Sequence, residues 1–400
     1  MSLADLFSCC LPCISTTPRL KINKASFKIL SLLGEGGFSY VYLVEASNGG
    51  LYALKKIRCP FGAENVRKAM IEVDNYKEFK SPFIMRSIDS SIVQEPDGTK
   101  TIYILLPYFE GGSLQDIISK NSLEGTQISD DEAIRLFIGM ARGLQTMHRH
   151  HITHNYTIQN FTNESYDDNT GNSIYNGNSR TNEEENPFLA ASDNRSTSST
   201  WDGTNGDNNN NGNNDNDFVL ENNDSSNNDL NNGAGTELAE SISFAHRDIK
   251  PANVMLSKDG TPVLADLGSA AKARISIKTR AQAITTQELA EEHCTLPYRA
   301  PELLDVKVGS EINEKIDIWS LGCTLYALLY GYSPFEREEM QNGANIKLAI
   351  SSGSYSFPSS PEYDEDLKEL IKFCIVVEPE DRPSIEDVLS KALSIQRHRS

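Results

Sequence analysis

Between about Asn155 and Ala239 the chain holds two dozen asparagines, with many Asp, Ser and Gly and few large apolar residues. Such a tract cannot bury enough surface to offset the entropy of ordering its backbone, so it is expected to stay disordered. Whatever folds must then be assembled from the two flanking pieces, and the ends of the tract must emerge together at the surface. That arrangement costs little, because loop closure adds only about 0.6 kcal/mol per doubling of loop length. Trp201 and Phe218 inside the tract are read as incidental, with recognition spots as the other reading.

The tract also accounts for the charge. Between His151 and Glu240 there are 16 acidic residues against two arginines, so 14 of the 19 formal negative charges sit there. The pattern of the remaining sequence reveals no basic face, which speaks against nucleic acid as a ligand. Seven cysteines, an odd number without framework spacing, and no signal peptide point to a reducing compartment. Cys9, Cys10 and Cys13 cluster near the N-terminus, which suggests S-acylation, since acyl chains anchor best in company. Zinc is the rival, but a structural site wants further ligands at motif distance and the next cysteine is Cys59. Ser2 does not indicate N-myristoylation. The longest apolar run, Trp319 to Tyr332, falls short of the roughly 18 residues of a membrane span and reads as a buried helix.

Chemistry enters at His246-Arg247-Asp248-Ile249-Lys250-Pro251-Ala252-Asn253. One short loop there holds a carboxylate that can accept a hydroxyl proton, a cation that can offset charge on a transferred group, and an amide that can hold a metal ion. In-line phosphoryl transfer to a hydroxyl asks for these three things. Upstream, Gly34-Glu35-Gly36-Gly37-Phe38-Ser39 joins the strand-like runs Phe27–Leu33 and Tyr40–Val44, and its glycines let backbone amides approach phosphate oxygens. After the turn Asn48-Gly49-Gly50, the strand Leu51–Arg58 puts Ala53 and Lys55 on one face and Leu54 and Lys56 on the other. Lys55 is preferred for a phosphate contact, though Lys56 is open on physical grounds alone. A helix over 63–80 follows, with Val66, Met70, Val73 and Phe79 as its apolar side, then strands over Ile84–Val93 and Thr101–Leu106. Ser129 to Glu132 is a capping box for a long core helix, and Thr285 to Glu288 a second one for a short helix.

Taken in order, these motifs resemble a eukaryotic serine/threonine protein kinase over roughly Phe27 to Leu393, the tract excepted. Leu33 to Val41, Tyr52-Ala53-Leu54-Lys55, Asp266-Leu267-Gly268-Ser269 and Cys294 to Glu302 are more specifically similar to the Numb-associated kinase family. Its lipid-modified subgroup of myristoylated and palmitoylated kinases, with fungal vacuole-associated relatives, is nearest. The resemblance implies ATP and Mg2+ bound between two lobes, with Leu33, Gly34, Glu35, Gly36, Gly37, Phe38, Ser39 and Val41 above the nucleotide. Ala53 and Leu106 would line the adenine pocket, Pro107 to Phe109 would form its hinge, and Glu72 would pair with Lys55. Asn253 and Asp266 would hold metal, Asp248 would be the base and Lys250 its partner. Thr295 would bond Asp248 and Lys250, Asp317 the amides of the catalytic loop, and Arg382 would pair with Glu302. Autophosphorylation, constitutive activity and attachment to Golgi or vacuole membranes are further implications, with Ser2 and the Asn-rich tract as departures from the family pattern.

The expected architecture is therefore α+β: a bilobal protein-kinase fold with a small antiparallel-sheet N-lobe and a mainly helical C-lobe. Residues 1–26 are expected to be a flexible membrane-anchor segment, 27–106 the N-lobe, and 107–396 the C-lobe, interrupted by 155–240. The expected activity is phosphotransfer from ATP to Ser or Thr of protein substrates on the cytoplasmic face of an endomembrane, with a cytoplasmic pool. A pseudokinase scaffold or membrane-tethered adaptor is the alternative, and no motif sets an oligomeric state.

Overall fold

The computed structural model describes residues 19–37, 39–60, 62–150 and 242–399. The cysteines Cys9, Cys10 and Cys13, the Asn-rich tract and Phe38 lie outside the described residues. Six antiparallel strands form the first sheet, in the order β1 (Arg19–Ile22), β2 (Ala25–Glu35), β3 (Ser39–Ala46), β4 (Leu51–Cys59), β6 (Lys100–Pro107) and β5 (Asp89–Gln94). The alternation along β4 sorts its side chains into two cores. Leu54 packs with Ile22, Phe27, Val44 and Leu105 on one face, while Ala53 and Ile57 face a second cluster with Ile104 and Leu106.

The N-lobe begins earlier than residue 27. Arg19–Ile22 was expected in the flexible terminus, yet Leu20 and Ile22 supply apolar side chains to the first core and their backbone pairs with Ala25–Lys28. The hairpin turn is tied to the far edge strand by Asn23 Nδ2, which donates to Asp89 at 2.9 Å and to the Ser90 carbonyl at 3.1 Å. Helix α1 (Gly62–Glu78) packs Val73 and Tyr76 into the second core, with Val66 and Met70 partly covered. The strand expected over Ile84–Val93 is only Asp89–Gln94. Ile84 and Met85 leave the sheet because Met85 N–H donates to the Leu264 carbonyl at 2.8 Å and both side chains enter the second core.

The C-lobe is built around α5 (Lys315–Tyr330), where 15 residues are buried, as the apolar run predicts. Around it pack α2 (Leu114–Glu124) and α3 (Asp130–His148), and then α8 (Glu365–Cys374) with α9 (Ile385–Arg399). Met140 and Met147 of α3 are fully buried packing residues. Ser129 caps α3 by accepting from Glu132 N–H at 3.2 Å, but Glu132 does not complete the box, because its carboxylate pairs with Arg135. The lobe runs past residue 396: Arg399 in the last turn of α9 reaches Asp130 at 3.0 Å and Asp131 at 2.8 Å.

After the tract come the short strands β7 (Phe244–Ala245), β8 (Val254–Leu256), β9 (Pro262–Leu264), β10 (Ala271–Lys272) and β11 (Ile275–Ser276). Helix α4 (Arg280–His293) follows, and its cap lies six residues before the one expected at Thr285. Thr279 is its cap, accepting from Gln282 N–H at 3.2 Å while Gln282 Oε1 accepts from Thr279 N–H at 3.1 Å. A capping box within reach of an earlier apolar anchor, Ala283, wins over a later one. The chain continues through β12 (Glu311–Ile312) to α5, and α6 (Pro334–Asn342) and α7 (Ile346–Ser352) lie beyond it. No helix among the described residues is long and apolar enough to cross a membrane.

Candidate active site

The register of the sheet aligns the upper half of the site. Gly34 of β2 opposes Val41 of β3, Val41 opposes Lys55 of β4, and Lys55 opposes Ile104 of β6. Directly opposed residues share a face, so Lys55 points the way Ala53, Ile57, Ile104 and Leu106 point, toward α1 and the cleft. This decides between the two lysines. Lys55 Nζ lies 2.7 Å from Glu72 and 2.8 Å from Asp266, whereas Lys56 lies over the Tyr103 ring, 5.8 Å from its centroid.

The three charges are not equivalent. Lys55 and Glu72 are nearly closed off, but the Asp266 side chain is 47% exposed. Burial pulls the Lys55 ammonium down, yet Glu72 and Asp266 outweigh it and hold it well above the ordinary lysine range. The Lys55 ammonium lowers the Asp266 carboxyl to about 2 against the opposing effect of burial. Burial dominates at Glu72 and pushes its carboxyl up, despite Lys55.

Asn75, one turn along from Glu72, is a site residue that the motifs miss. Its fully buried amide donates to the carbonyls of Leu267 at 2.9 Å and Ala270 at 2.8 Å, which ties α1 to the turn after Asp266. A polar residue on the inner face of an otherwise apolar helix stripe is the signal that could have found it.

Below the cleft, Asp248 is held by four donors. Oδ1 accepts from Thr295 N–H at 3.0 Å and Thr295 Oγ1 at 2.7 Å, and Oδ2 from Lys250 Nζ at 2.7 Å and Asn253 Nδ2 at 2.9 Å. Lys250 Nζ also donates to Thr295 Oγ1 at 2.7 Å, so one threonine joins both residues. Asn253 spends its NH2 on Asp248, with a second bond to the Asp248 carbonyl at 2.9 Å, and this orients its side-chain oxygen away from that carboxylate. Its backbone carbonyl accepts from Ala265 N–H at 2.8 Å, bringing Asn253 beside Asp266. An ionised carboxylate and an oriented amide oxygen are hard donors that suit Mg2+, which takes one or two protein ligands and completes its shell with phosphates and water.

The loop itself hangs from α5. Asp317 accepts from the backbone N–H of His246 and of Arg247, both at 2.8 Å, and from His148 Nε2 at 3.0 Å. Ser320 and Thr324, further along the same helix, reach the carbonyls of Tyr298 at 2.7 Å and Ile249 at 3.4 Å. His246 Nε2–H donates to the Ala265 carbonyl at 3.0 Å, which leaves Nδ1 to accept from Asp248 N–H at 3.4 Å. Arg247 and Asp266 both adopt positive φ, at 70° and 57°, a backbone state that non-glycine residues enter only when their surroundings compel it.

The remaining expected residues divide. Val41, Ala53, Pro107 and Phe109 are half-buried and Leu106 is buried; Ala53, Leu106 and Phe109 share the second core with Met255 of β8, which supplies an apolar floor that the motifs had not indicated. Leu33, Gly36 and Gly37 are exposed, Gly34 and Ser39 half-buried. A Cβ at Gly34 or Gly37 would meet nothing within 4 Å, so packing within the protein does not explain glycine there, and the open space suits a ligand. Glu35 is exposed and forms no ion pair among the described residues.

Comparison with known proteins agrees with this geometry. A family model described as the protein kinase domain matches residues 27–155 and 234–393, on either side of the tract. The serine/threonine-protein kinase ENV7 of Saccharomyces cerevisiae is 39% identical, covering 93% of this chain and 92% of that protein. The serine/threonine-protein kinase ppk13 of Schizosaccharomyces pombe is 36% identical over 92% of this chain and 90% of its own length. Serine/threonine-protein kinase 16 of Homo sapiens is 28% identical over 96% and 95%. With two lobes, a cleft between them and relatives matched along most of their length, this chain belongs to the protein kinase family and is a serine/threonine kinase.

Proposed function

We propose that the chain transfers the terminal phosphoryl group of ATP to Ser or Thr hydroxyls of proteins through the cluster of Lys55, Glu72, Asp248, Lys250, Asn253 and Asp266. The observation that carries this reading is the meeting of Lys55, from the sheet, with Asp266, from the C-lobe, at 2.8 Å with Asp266 half open to the cleft. Phosphates entering under Gly34 to Ser39 would meet the Lys55 ammonium, which Glu72 keeps in place. Val41, Ala53, Leu106, Phe109 and Met255 offer apolar walls for a purine. Asn253 and Asp266 would hold Mg2+, which when bound neutralises charge on the phosphates. Asp248 aligns the incoming hydroxyl and accepts its proton as the new O–P bond forms and the bond from the γ-phosphorus to the β–γ bridging oxygen breaks, releasing ADP, while Lys250 offsets charge on the transferred group. All four acceptor positions of Asp248 are filled, so the substrate hydroxyl takes the place of one present donor; the Thr295 hydroxyl and the Lys250 ammonium are the two able to swing away.

Asp248→Asn tests the assignment: with labelled ATP the purified variant is expected to lose at least a hundredfold in phosphate incorporation, roughly what a general base contributes, while remaining folded. Autophosphorylation near the wild-type rate would remove Asp248 from the mechanism. No incorporation by the wild-type chain itself would favour a scaffold.

The same proposal includes attachment to a membrane by S-acylation of Cys9, Cys10 and Cys13, on the cytoplasmic face of the vacuole or Golgi with a cytoplasmic pool. It rests on the cysteine spacing and on the resemblance to the lipid-modified subgroup. Replacing all three with Ser and fractionating cells tests it; unchanged membrane recovery would end the acylation reading.

A further inference from the structure

We infer that the outer side of the β1–β2 hairpin is a membrane-facing surface that docks on anionic phospholipid headgroups; this rests on the proposed acylation and says which way the fold faces once anchored. In a chain of net charge −19, the stretch between Cys13 and Glu35 holds four cations, Arg19, Lys21, Lys24 and Lys28, and no acidic residue. Arg19, Lys21 and Lys24 are exposed, Lys28 is half-buried, and none of the four forms an ion pair among the described residues.

The fold gathers them. Arg19 opposes Lys28 across the strand pair, so both stand on one face, and Lys21 stands two residues along on that same face. The alternate residues, Leu20, Ile22 and Phe27, turn inward to the core, which fixes the cations outward. Glu45 of β3 opposes Lys28, so the face carries one carboxylate against the three cations Arg19, Lys21 and Lys28. Three cations to one carboxylate leave this face positive, and its cations can meet lipid phosphates.

Reach supplies the second argument. Five residues lie between Cys13 and Arg19, and the six steps at about 3.5 Å each span at most about 20 Å. An acyl chain on Cys13 inserted in a leaflet would therefore hold the start of β1 within about 20 Å of the headgroups. The surface nearest the bilayer is then this hairpin, and its charge has the sign that an anionic leaflet attracts.

The test uses the full chain with Cys9, Cys10 and Cys13 changed to Ser, so that acylation plays no part. Cosedimentation is measured with phosphatidylcholine vesicles and with vesicles containing about 30% phosphatidylserine. The expected result is binding to the anionic vesicles only, weakening with salt and falling at least tenfold in Lys21→Glu/Lys24→Glu, whose solution kinase rate and melting temperature stay at the parent's values. The milder pair Lys21→Gln/Lys24→Gln should fall in between, and serves if charge reversal disturbs folding. Equal binding to neutral vesicles, or no loss in either pair, would overturn the inference. Failure of the acylation reading is seen separately, in cells carrying the three Ser substitutions, and leaves the vesicle result standing by itself.

Discussion

Two aspartates show how the same chemical group is put to different ends. Asp317 is fully enclosed, and three fixed donors from the loop and His148 occupy its oxygens. Among the described residues Asp266 has a single donor, Lys55, on Oδ1, and it stands half open to the cleft. Burial pushes the Asp317 carboxyl up, but His148 and the Arg247 amide outweigh it and hold it below the ordinary range. Both are thus ionised at neutral pH, and each lies against a residue at positive φ, Arg247 in one case and Asp266 itself in the other. Asp317, sealed and with both oxygens bound by fixed donors, holds structure; Asp266, open to the cleft and with Oδ2 free of donors among the described residues, can take a ligand.

The sharpest way to break that contrast is Asp266→Asn. Phosphotransfer should fall about a thousandfold or more, some 4 kcal/mol of barrier, with the urea midpoint little changed. Asp317→Ala should do the reverse. Leaving two loop amides and His148 without a partner should cost about 3 kcal/mol of stability, read from the shift in that midpoint, while nucleotide affinity of the folded fraction stays near wild type. If Asp317→Ala abolished nucleotide binding with stability intact, the two sites would not be separable as described.

A smaller effect separates the partners of Lys55. The Glu72 carboxyl is raised by burial, so as pH falls Glu72 takes up its proton while Asp266, lowered to about 2, is still charged. Glu72→Gln should reduce kcat/KM about tenfold at neutral pH and remove the acid limb of its pH profile. The sign for stability follows from the same direction: ionised Glu72 is disfavoured in the fold relative to the unfolded chain, a penalty that fades as pH drops through its raised value. The neutral side chain should therefore leave the melting temperature within a few degrees. Smallest is Asn75→Ala, expected to cost about 1 kcal/mol through the two bonds to Leu267 and Ala270, with a few-fold loss of activity.

Much of this was legible in the chain because the chemistry is carried by short loops with fixed spacing. Asp248, Lys250 and Asn253 lie within six consecutive residues, and a turn of that length brings them together with little help from the rest of the fold. Period-two alternation likewise put Ala53 beside Lys55, and the apolar run from Trp319 announced α5. Element boundaries were less legible. Arg19–Ile22 reads as a polar terminus, and its pairing with β2 depends on two apolar side chains reaching a core assembled from five other strands. The start of α4 depended on which of two capping sequences found an anchor.

What the sequence alone determined, then, is the identity of the reacting groups and the hydrophobic period of the elements bearing them, because both are local. Tertiary structure decided which of two adjacent lysines serves the cleft, through the register of β4 against β3 and β6. It also decided that Asn75 clamps the turn after Asp266 and that Asp317 is sealed while Asp266 is open. These are facts about partners nearly 200 residues apart in Asn75 and Leu267, or about the supply of water to a carboxylate, and no local pattern encodes either.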